Sequence, residues 1–451
     1  MKRLFVILLL LIPAFIWGQR TLDILQNWHQ VKKGETIQSI SESYGITQEQ
    51  LKQANPDIKI RRKGKIKKGT LITIPKLVVE EKEPAEEEIV PIQTVIKSYS
   101  TVRLAVLLPL EEKSDRGAKF VEFYQGLLMA ADSVKQQGIN VDIYAFHTGS
   151  SAQEMQTLLR SNDLSQMNVI VGPADQAQIP PLCTYCTEHN IRLVLPFTAP
   201  NTNIIGHPLL YLATPASSLT QQGATKLVSK KFEDNNFIIL ETEQADERGG
   251  NMIEALRQEL SRKGISLRTM PIDGDDFAIE SSLNQFKMNC IVPNNTSIKT
   301  LNVFFAKLHD FQKNHIQYKI SMLGYPEWQT YTGTLLKDFY TYDTYIYSSY
   351  YRNPLQGRTS VFDRDFMNNF KRPMIVSYPR YGMMGFDLGY YFMNGLARLG
   401  DTFEEHQNEL QYFPFQHMFN FQRNGEGNGF LNHAVLLIHY KPEQEIEMIV
   451  Q

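Results

Sequence analysis

TVRLAVLLPL, residues 101–110, is a nearly continuous apolar run of strand length, as a parallel strand covered on both faces requires. A helix is expected next, because Phe120, Tyr124, Leu127, Leu128, Ala131 and Val134 fall on one stripe and Gly138 stands just past its end. Working outward, further strands are expected at 141–145, 169–171, 193–195, 237–240, 290–292 and 320–323. Helices fit between them at 154–160, 224–231, 252–263 and 303–311. Strand and helix alternating on this scale predict an α/β protein with mostly parallel sheets.

The whole chain has 451 residues, enough at about 150 per domain for two or three domains. Hydrophobic residues make up 42% and charged ones 21%, which excludes disorder throughout. Lys plus Arg is 46 against 48 for Asp plus Glu, so nothing marks the chain as a nucleic-acid binder. Three cysteines exclude a disulfide scaffold and a multi-cysteine metal framework. At the start, Lys2 and Arg3 precede an apolar run over 4–17, interrupted by Pro13, with small Ala14 and Gly18 where a peptidase cuts. That pattern predicts a cleaved signal peptide at 1–18, since a spanning helix needs about 20 apolar residues. No cysteine stands nearby to take a lipid anchor, so the expected location is the periplasm.

Charge divides the mature chain. Residues 28–76 hold 11 basic and 4 acidic residues, whereas 77–100 hold 6 Glu and 2 Lys. The second stretch, with Pro84 and Pro91, is expected to be an extended linker. The basic module reads strand, helix, helix, strand. His29-Gln30-Val31 is the first strand, Gly34 allows a tight turn, and Thr36 caps a helix in which Ile37, Ile40 and Tyr44 recur at helical spacing. Gly45 ends it. Thr47 with Gln50 caps a second helix with Leu51 and Ala54 inward, Asn55-Pro56 stops it, and Leu71, Ile72 and Ile74 form the closing strand.

HQVKKGETIQSISESYGITQEQLKQANP, followed by IKKGTLITIP, resembles the LysM family across nearly its whole length. The resemblance implies binding of N-acetylglucosamine-containing glycans, in bacteria usually peptidoglycan. The shallow groove would use Gly34, Glu35, Thr36 and Ile37 on one side and Asn55, Pro56, Asp57 and Ile58 on the other. This sequence departs from the family by a basic insertion, Lys59-Ile60-Arg61-Arg62-Lys63 with Lys65, in the second loop. Its charge either strengthens attachment to acidic wall groups or is simply a solvated face.

Residues 101–442 resemble the type I periplasmic-binding-protein superfamily, in its leucine- and amino-acid-binding-like branch. The resemblance is carried by VRLAVLLPL, FYQGLLMAADSVKQQG, YAFHTGSS, VIVGPADQAQ, RLVLPFTAP, PLLYLATPASSLTQQGATKLV, FIILETEQADERGGNMIEALRQELSRKGISL and RYGMMGFDLGYYFMNGLARLG, in that order. It implies two Rossmann-like lobes joined by three crossovers, lobe 1 at about 101–213 and 352–411 and lobe 2 at about 214–351 and 412–442. A ligand would lie in the cleft between them. The implied cleft residues are Gly172, Pro173, Asp175 and Thr198 on lobe 1, and Glu243 and Tyr325 on lobe 2. Family members hold an amino-acid carboxylate with hydroxyls and backbone amides in these loops. Here Asp175 stands where a small hydroxyl residue is expected, and a carboxylate facing a carboxylate repels it. A cationic, sugar-like or peptide ligand, or none, is expected instead.

Catalytic machinery is not apparent. HExxH and GxSxG motifs are absent, and His433 and His439 lie at a terminal apolar strand. Cys183 and Cys186 form a CxxC in a helix entered through Pro180-Pro181, which suits structural thiols, a local disulfide or a redox pair. Tyrosines 325, 331, 340, 342, 345, 347, 350 and 351, with Trp328, suit either sugar and protein contacts or a strand with half-buried rings. The expectation is a non-enzymatic exported protein with no cofactor or metal. It would bind peptidoglycan, a small-molecule or peptide ligand and an envelope protein partner, as a wall-tethered sensor or regulator of envelope assembly. The alternatives are the binding component of an ABC-type amino-acid or peptide uptake system and a peptidoglycan-remodelling enzyme.

Overall fold

A computed structural model describes residues 27–44, 47–53, 55, 58–61, 64–74, 99–197, 202–410 and 412–450. The chain falls into two units, residues 1–91 and 92–451. The signal peptide expected at 1–18, the linker up to residue 98, and Gly45, Ala54, Pro56, Asp57 and Thr198 lie outside the described residues.

The first unit runs β1 (Asn27–Gln30), α1 (Ile37–Ser43), α2 (Gln48–Gln53) and β2 (Leu71–Ile74). Strands β1 and β2 pair antiparallel with His29 opposite Ile72. Gly34 turns the chain at φ +95°, a conformation L side chains rarely adopt. Thr36 then caps α1 reciprocally: its hydroxyl accepts the Ser39 N–H at 3.1 Å, and the Ser39 hydroxyl accepts the Thr36 N–H at 2.9 Å. Val31, Ile37, Ile40, Leu51, Ile66, Ile72 and Ile74 make the core. Tyr44, expected to share the helical spacing of Ile37 and Ile40, falls just past the helix. Helix α1 ends at Ser43, and the tyrosine instead lies exposed with its hydroxyl 3.0 Å from His29 Nδ1.

The second unit begins β3 (Thr101–Leu108), α3 (Asp115–Lys135), β4 (Asn140–His147), α4 (Ala152–Ser161), β5 (Val169–Val171), α5 (Ile179–Glu188), β6 (Arg192–Leu195) and β7 (Leu210–Leu212). The chain then crosses to α6 (Ser217–Lys231), β8 (Asn236–Glu241), α7 (Glu247–Arg262), β9 (Leu267–Pro271) and α8 (Asp276–Ser282). It continues through β10 (Asn289–Pro293), α9 (Ile298–Gln312), β11 (Ile320–Gly324), α10 (Thr332–Thr341) and β12 (Thr344–Ser348). Last come α11 (Gly357–Phe370), α12 (Tyr381–Leu399), β13 (Phe421–Arg423), β14 (Phe430–Asn432), β15 (Leu436–Tyr440) and β16 (Ile446–Val450).

These strands build two seven-stranded sheets, ordered β13-β14-β7-β6-β5-β3-β4 and β16-β15-β12-β11-β10-β8-β9. All neighbours are parallel except β13 on β14 in the first sheet and β15 and β16 in the second. This is the bilobed α/β architecture expected. Strand β3 lies inside the first sheet, so Leu104 to Leu108 have no exposed surface, which explains their unbroken apolar run. Helices α3 and α12 meet backbone to backbone. A Cβ on Gly126 would stand 1.8 Å from the Gly382 carbonyl oxygen, and one on Gly385 1.9 Å from that of Phe123.

The lobe division expected over 412–442 is corrected by strand pairing. Strand β14 pairs parallel with β7, so the β13–β14 hairpin belongs to the first sheet. Aromatic packing holds it there: the Phe430 ring stacks on Tyr211 at 4.5 Å, and Phe421 meets the same ring edge-on at 5.2 Å. The second lobe also extends past 442, because β16 pairs with β15. The chain therefore passes between the sheets at 213–216, 349–356 and 433–435.

Candidate functional site

In the first unit, Glu35 is the best-placed polar side chain of the expected groove. Its carboxylate accepts the Lys32 N–H at 2.7 Å and lies 2.7 Å from His29 Nε2. Burial raises the carboxyl's pKa, but those hydrogen bonds and the charges of His29 and Lys32 outweigh it, leaving Glu35 below its ordinary value. Gly34 is exposed at the turn and Thr36 is half-buried, while Ile37 is buried in the core. Asn55 turns inward. Its Nδ2 donates to the Leu51 and Thr73 carbonyls at 2.8 and 2.7 Å, and its Oδ1 accepts the Thr73 N–H at 2.7 Å. Both amide donors are thus committed, so Asn55 fixes the second loop onto β2 instead of offering its amide to a glycan. Ile58 packs partly buried against the core, and Pro56 and Asp57 lie outside the described residues.

In the second unit, the crevice beyond the carboxyl ends of parallel strands is where α/β sheets bind ligands. Gly172, directly after β5, has φ +124°, and a Cβ there would stand 2.0 Å from the Leu107 carbonyl oxygen, so only glycine fits. Pro173 is buried beside it. Asp175 is not the bare carboxylate expected. Its Oδ1 accepts from Arg116 Nη2 at 2.7 Å, while its Oδ2 is buried without a hydrogen-bond partner. Arg116, in the first turn of α3, lies over the Phe120 ring at 5.2 Å and is half-exposed. Phe120, Phe197 and Tyr381 form an aromatic shelf, with ring centroids 4.9 and 5.7 Å apart along the row. Arg116 thus supplies a cation that offsets the repulsion expected from Asp175 alone.

On the other lobe, Glu243 is exposed on the loop after β8. Tyr325 does not line the cleft: its side chain is fully buried and its hydroxyl donates to the Pro293 carbonyl. Trp328 is equally buried and donates to the Thr296 carbonyl at 3.0 Å. The polar groups at these strand ends are instead Arg248 and Glu327, paired at 2.7 Å and partly exposed. Most of the tyrosine-rich stretch is core, with Tyr342, Tyr345, Tyr347 and Tyr351 buried, so the strand reading of these rings holds.

The segment leading to β13 is held by a network that sequence reading missed. Asp387, fully buried on α12, accepts the backbone N–H groups of Phe415, Gln416 and His417 at 2.7, 2.8 and 2.7 Å. Burial pushes its carboxyl up to about 7, against the pull of those donors and of Arg358. Burial also holds His417 down to about 3. The crossover after β12 leans on this segment: Tyr351 N–H donates to the Gln416 carbonyl at 2.9 Å, and the Tyr350 ring stacks on His417 at 5.2 Å. An aspartate in the middle of YGMMGFDLGYYFMNGLARL was the available signal, since a charge in so apolar a helix needs partners.

Cys183 and Cys186 are free, buried thiols on α5. Burial pushes the first up to about 12 and the second well above its ordinary value, the opposite of an activated redox pair. His439 lies 2.6 Å from Asp343 and stacks on Tyr345 at 3.9 Å, a packing role. Among the described residues, no group of three or more His, Cys, Asp or Glu side chains is placed to hold a metal ion. No helix among them is long and apolar enough to cross a membrane.

Residues 29–75 match the family profile of the LysM domain. They are a LysM domain. Over the second unit, a solved structure described as a candidate branched-chain amino acid ABC transporter from Rhodospirillum rubrum is 13% identical. It covers 77% of this chain and 100% of its own, with a TM-score of 0.53. At that identity the likeness shows the fold, that of the type I periplasmic binding proteins. An ABC transporter substrate-binding protein from Desulfitobacterium hafniense in complex with Leu is 14% identical, covers 77% and 100%, and has a TM-score of 0.42. Comparison with curated proteins finds no match.

Proposed function

We propose that this is an exported, non-enzymatic protein whose LysM domain attaches it to peptidoglycan and whose bilobed unit binds a ligand or envelope partner. In this reading it is a wall-tethered sensor or regulator of envelope assembly, working in the periplasm. The observation that carries it is the joining of a LysM domain and a bilobed binding fold in one chain. Attachment to an immobile glycan favours local recognition over delivery, because a shuttle must diffuse between ligand and permease. Sedimentation with purified sacculi tests the attachment, and deleting residues 28–76 should abolish co-pelleting. Release of soluble muropeptides by the pure protein would overturn the binding-only reading.

The fold likeness to the Rhodospirillum rubrum structure favours a second reading, the binding component of an ABC-type uptake system. Gene deletion separates the two. Loss of uptake of one solute with an intact wall supports transport, and altered wall integrity with normal uptake supports regulation.

A further inference from the structure

The LysM domain carries a basic rim that the groove alone does not account for. Lys32, Lys33, Arg61, Lys65, Lys67 and Lys68 are all exposed. Backbone hydrogen bonds gather them: Gly69 N–H to the Val31 carbonyl at 2.8 Å and Val31 N–H to that of Thr70 at 2.9 Å set the 67–68 lysines beside the 32–33 pair. Arg61 N–H donates to the Lys65 carbonyl at 2.7 Å, and Lys65 bridges to Thr36, a groove residue. None of the six makes an ion pair with a described carboxylate. Glu35, the acid beside them, is already held by His29 and the Lys32 N–H. The rim is thus a field of positive charge that begins two residues before Gly34 and touches Thr36, with Lys32 alone acting electrostatically on Glu35.

We propose that this rim binds carboxylates carried on peptide stems of the same glycan strand that fills the groove. The domain would then prefer stem-bearing peptidoglycan to bare glycan. The inference rests on the wall-binding reading above. Continuity favours the stem carboxylate: Lys65 bridges to Thr36 and Lys32 and Lys33 adjoin Gly34, so a strand in the expected groove holds its own substituents beside these cations, whereas a separate phosphodiester polymer has no such registration. Exposed charge pairs are individually weak and salt-screened, but four acting together are worth about tenfold in affinity at low ionic strength.

Full-length protein is sedimented with intact sacculi, with sacculi whose stem carboxylates have been converted to amides while the cross-links stay in place, and with both after removal of wall phosphodiester polymers, at low and high salt. Wild type should bind intact sacculi about tenfold more tightly than amidated ones at low salt, and equally at high salt. The variant K32Q/K33Q/K67Q/K68Q should lose most of that preference, with an unchanged circular dichroism spectrum, since all four side chains are exposed. Equal wild-type binding to intact and amidated sacculi overturns the inference while leaving wall attachment standing. So does a preference that vanishes with the phosphodiester polymers. Absence of binding to every form overturns the attachment reading itself.

Discussion

Asp387→Asn should destabilise the second unit by about 2–5 kcal/mol. The carboxylate accepts three backbone N–H groups at 2.7–2.8 Å, Oδ1 from Phe415 and Oδ2 from Gln416 and His417. Asparagine keeps one acceptor oxygen, so it can serve one side of that array while its amide nitrogen faces a donor on the other. One or two buried N–H groups are left unpaired, at about 1–3 kcal/mol each. Arg358, whose guanidinium lies 4.4 Å over the Phe415 ring, also loses the acid that faces it.

The pH dependence carries a sharper test. In the native state Asp387 is raised from 3.8 to about 7, so its contribution is complete below pH about 4 and is lost as pH rises through 7. His417 is depressed from 6.5 to about 3, so its contribution is complete above pH about 6.5 and is lost on acidification. Between those limits the two slopes, about 1.4 kcal/mol per pH unit each, oppose one another. The variant keeps only the histidine slope, and should lose stability from pH 6.5 to 4.5 more steeply than wild type by about that amount. Urea unfolding followed by circular dichroism at pH 4.5, 5.5, 6.5 and 7.5 measures it. A wild-type-minus-variant difference that stays flat with pH would refute the raised pKa of this buried carboxyl.

Gly385→Ala places a methyl group 1.9 Å from the Phe123 carbonyl oxygen and should cost about 1–3 kcal/mol or more, seen as a lower melting temperature. Glu404→Gln breaks a bidentate pair with Arg192, whose Nε and Nη2 each lie 2.7 Å from a carboxylate oxygen, and leaves a buried guanidinium unpaired. A loss of about 3–5 kcal/mol in urea unfolding is expected. Cys183, Cys186 and Cys290 should all be silent to a thiol reagent at pH 8 in the native protein and react together once urea unfolds it.

What could be read from sequence is what one segment determines by itself. The buried run of β3 and the stripe of α3 need no partner to be recognised, because burial on both faces or on one face writes a pattern into consecutive residues. The capping turn at Gly34 and Thr36 is local in the same sense. Strands β7, β13 and β14 have three residues each, too few for a period, and their shared sheet depends on Tyr211 meeting Phe421 and Phe430 from more than 200 positions away. Asp175 could be seen as an acid in a binding loop, but its charge partner Arg116 is 59 residues upstream. Asn55 looked like a groove residue for the same reason: only the folded chain shows its amide turned to Thr73.

The charge pairs at the strand ends bear on what the proposed cleft can hold. On the first lobe Arg116 is joined to Asp175, and on the second Arg248 is joined to Glu327. A ligand carboxylate must compete with an acid already 2.7 Å from each guanidinium, and a ligand cation must approach an acid already neutralised. Neither of these two pairs therefore offers an unopposed charge to a simple ion. Asp175 Oδ2 is unpartnered but enclosed, and Phe120 is buried beneath the Arg116 guanidinium, so Phe197 and Tyr381 supply the part-exposed ring surface of that row.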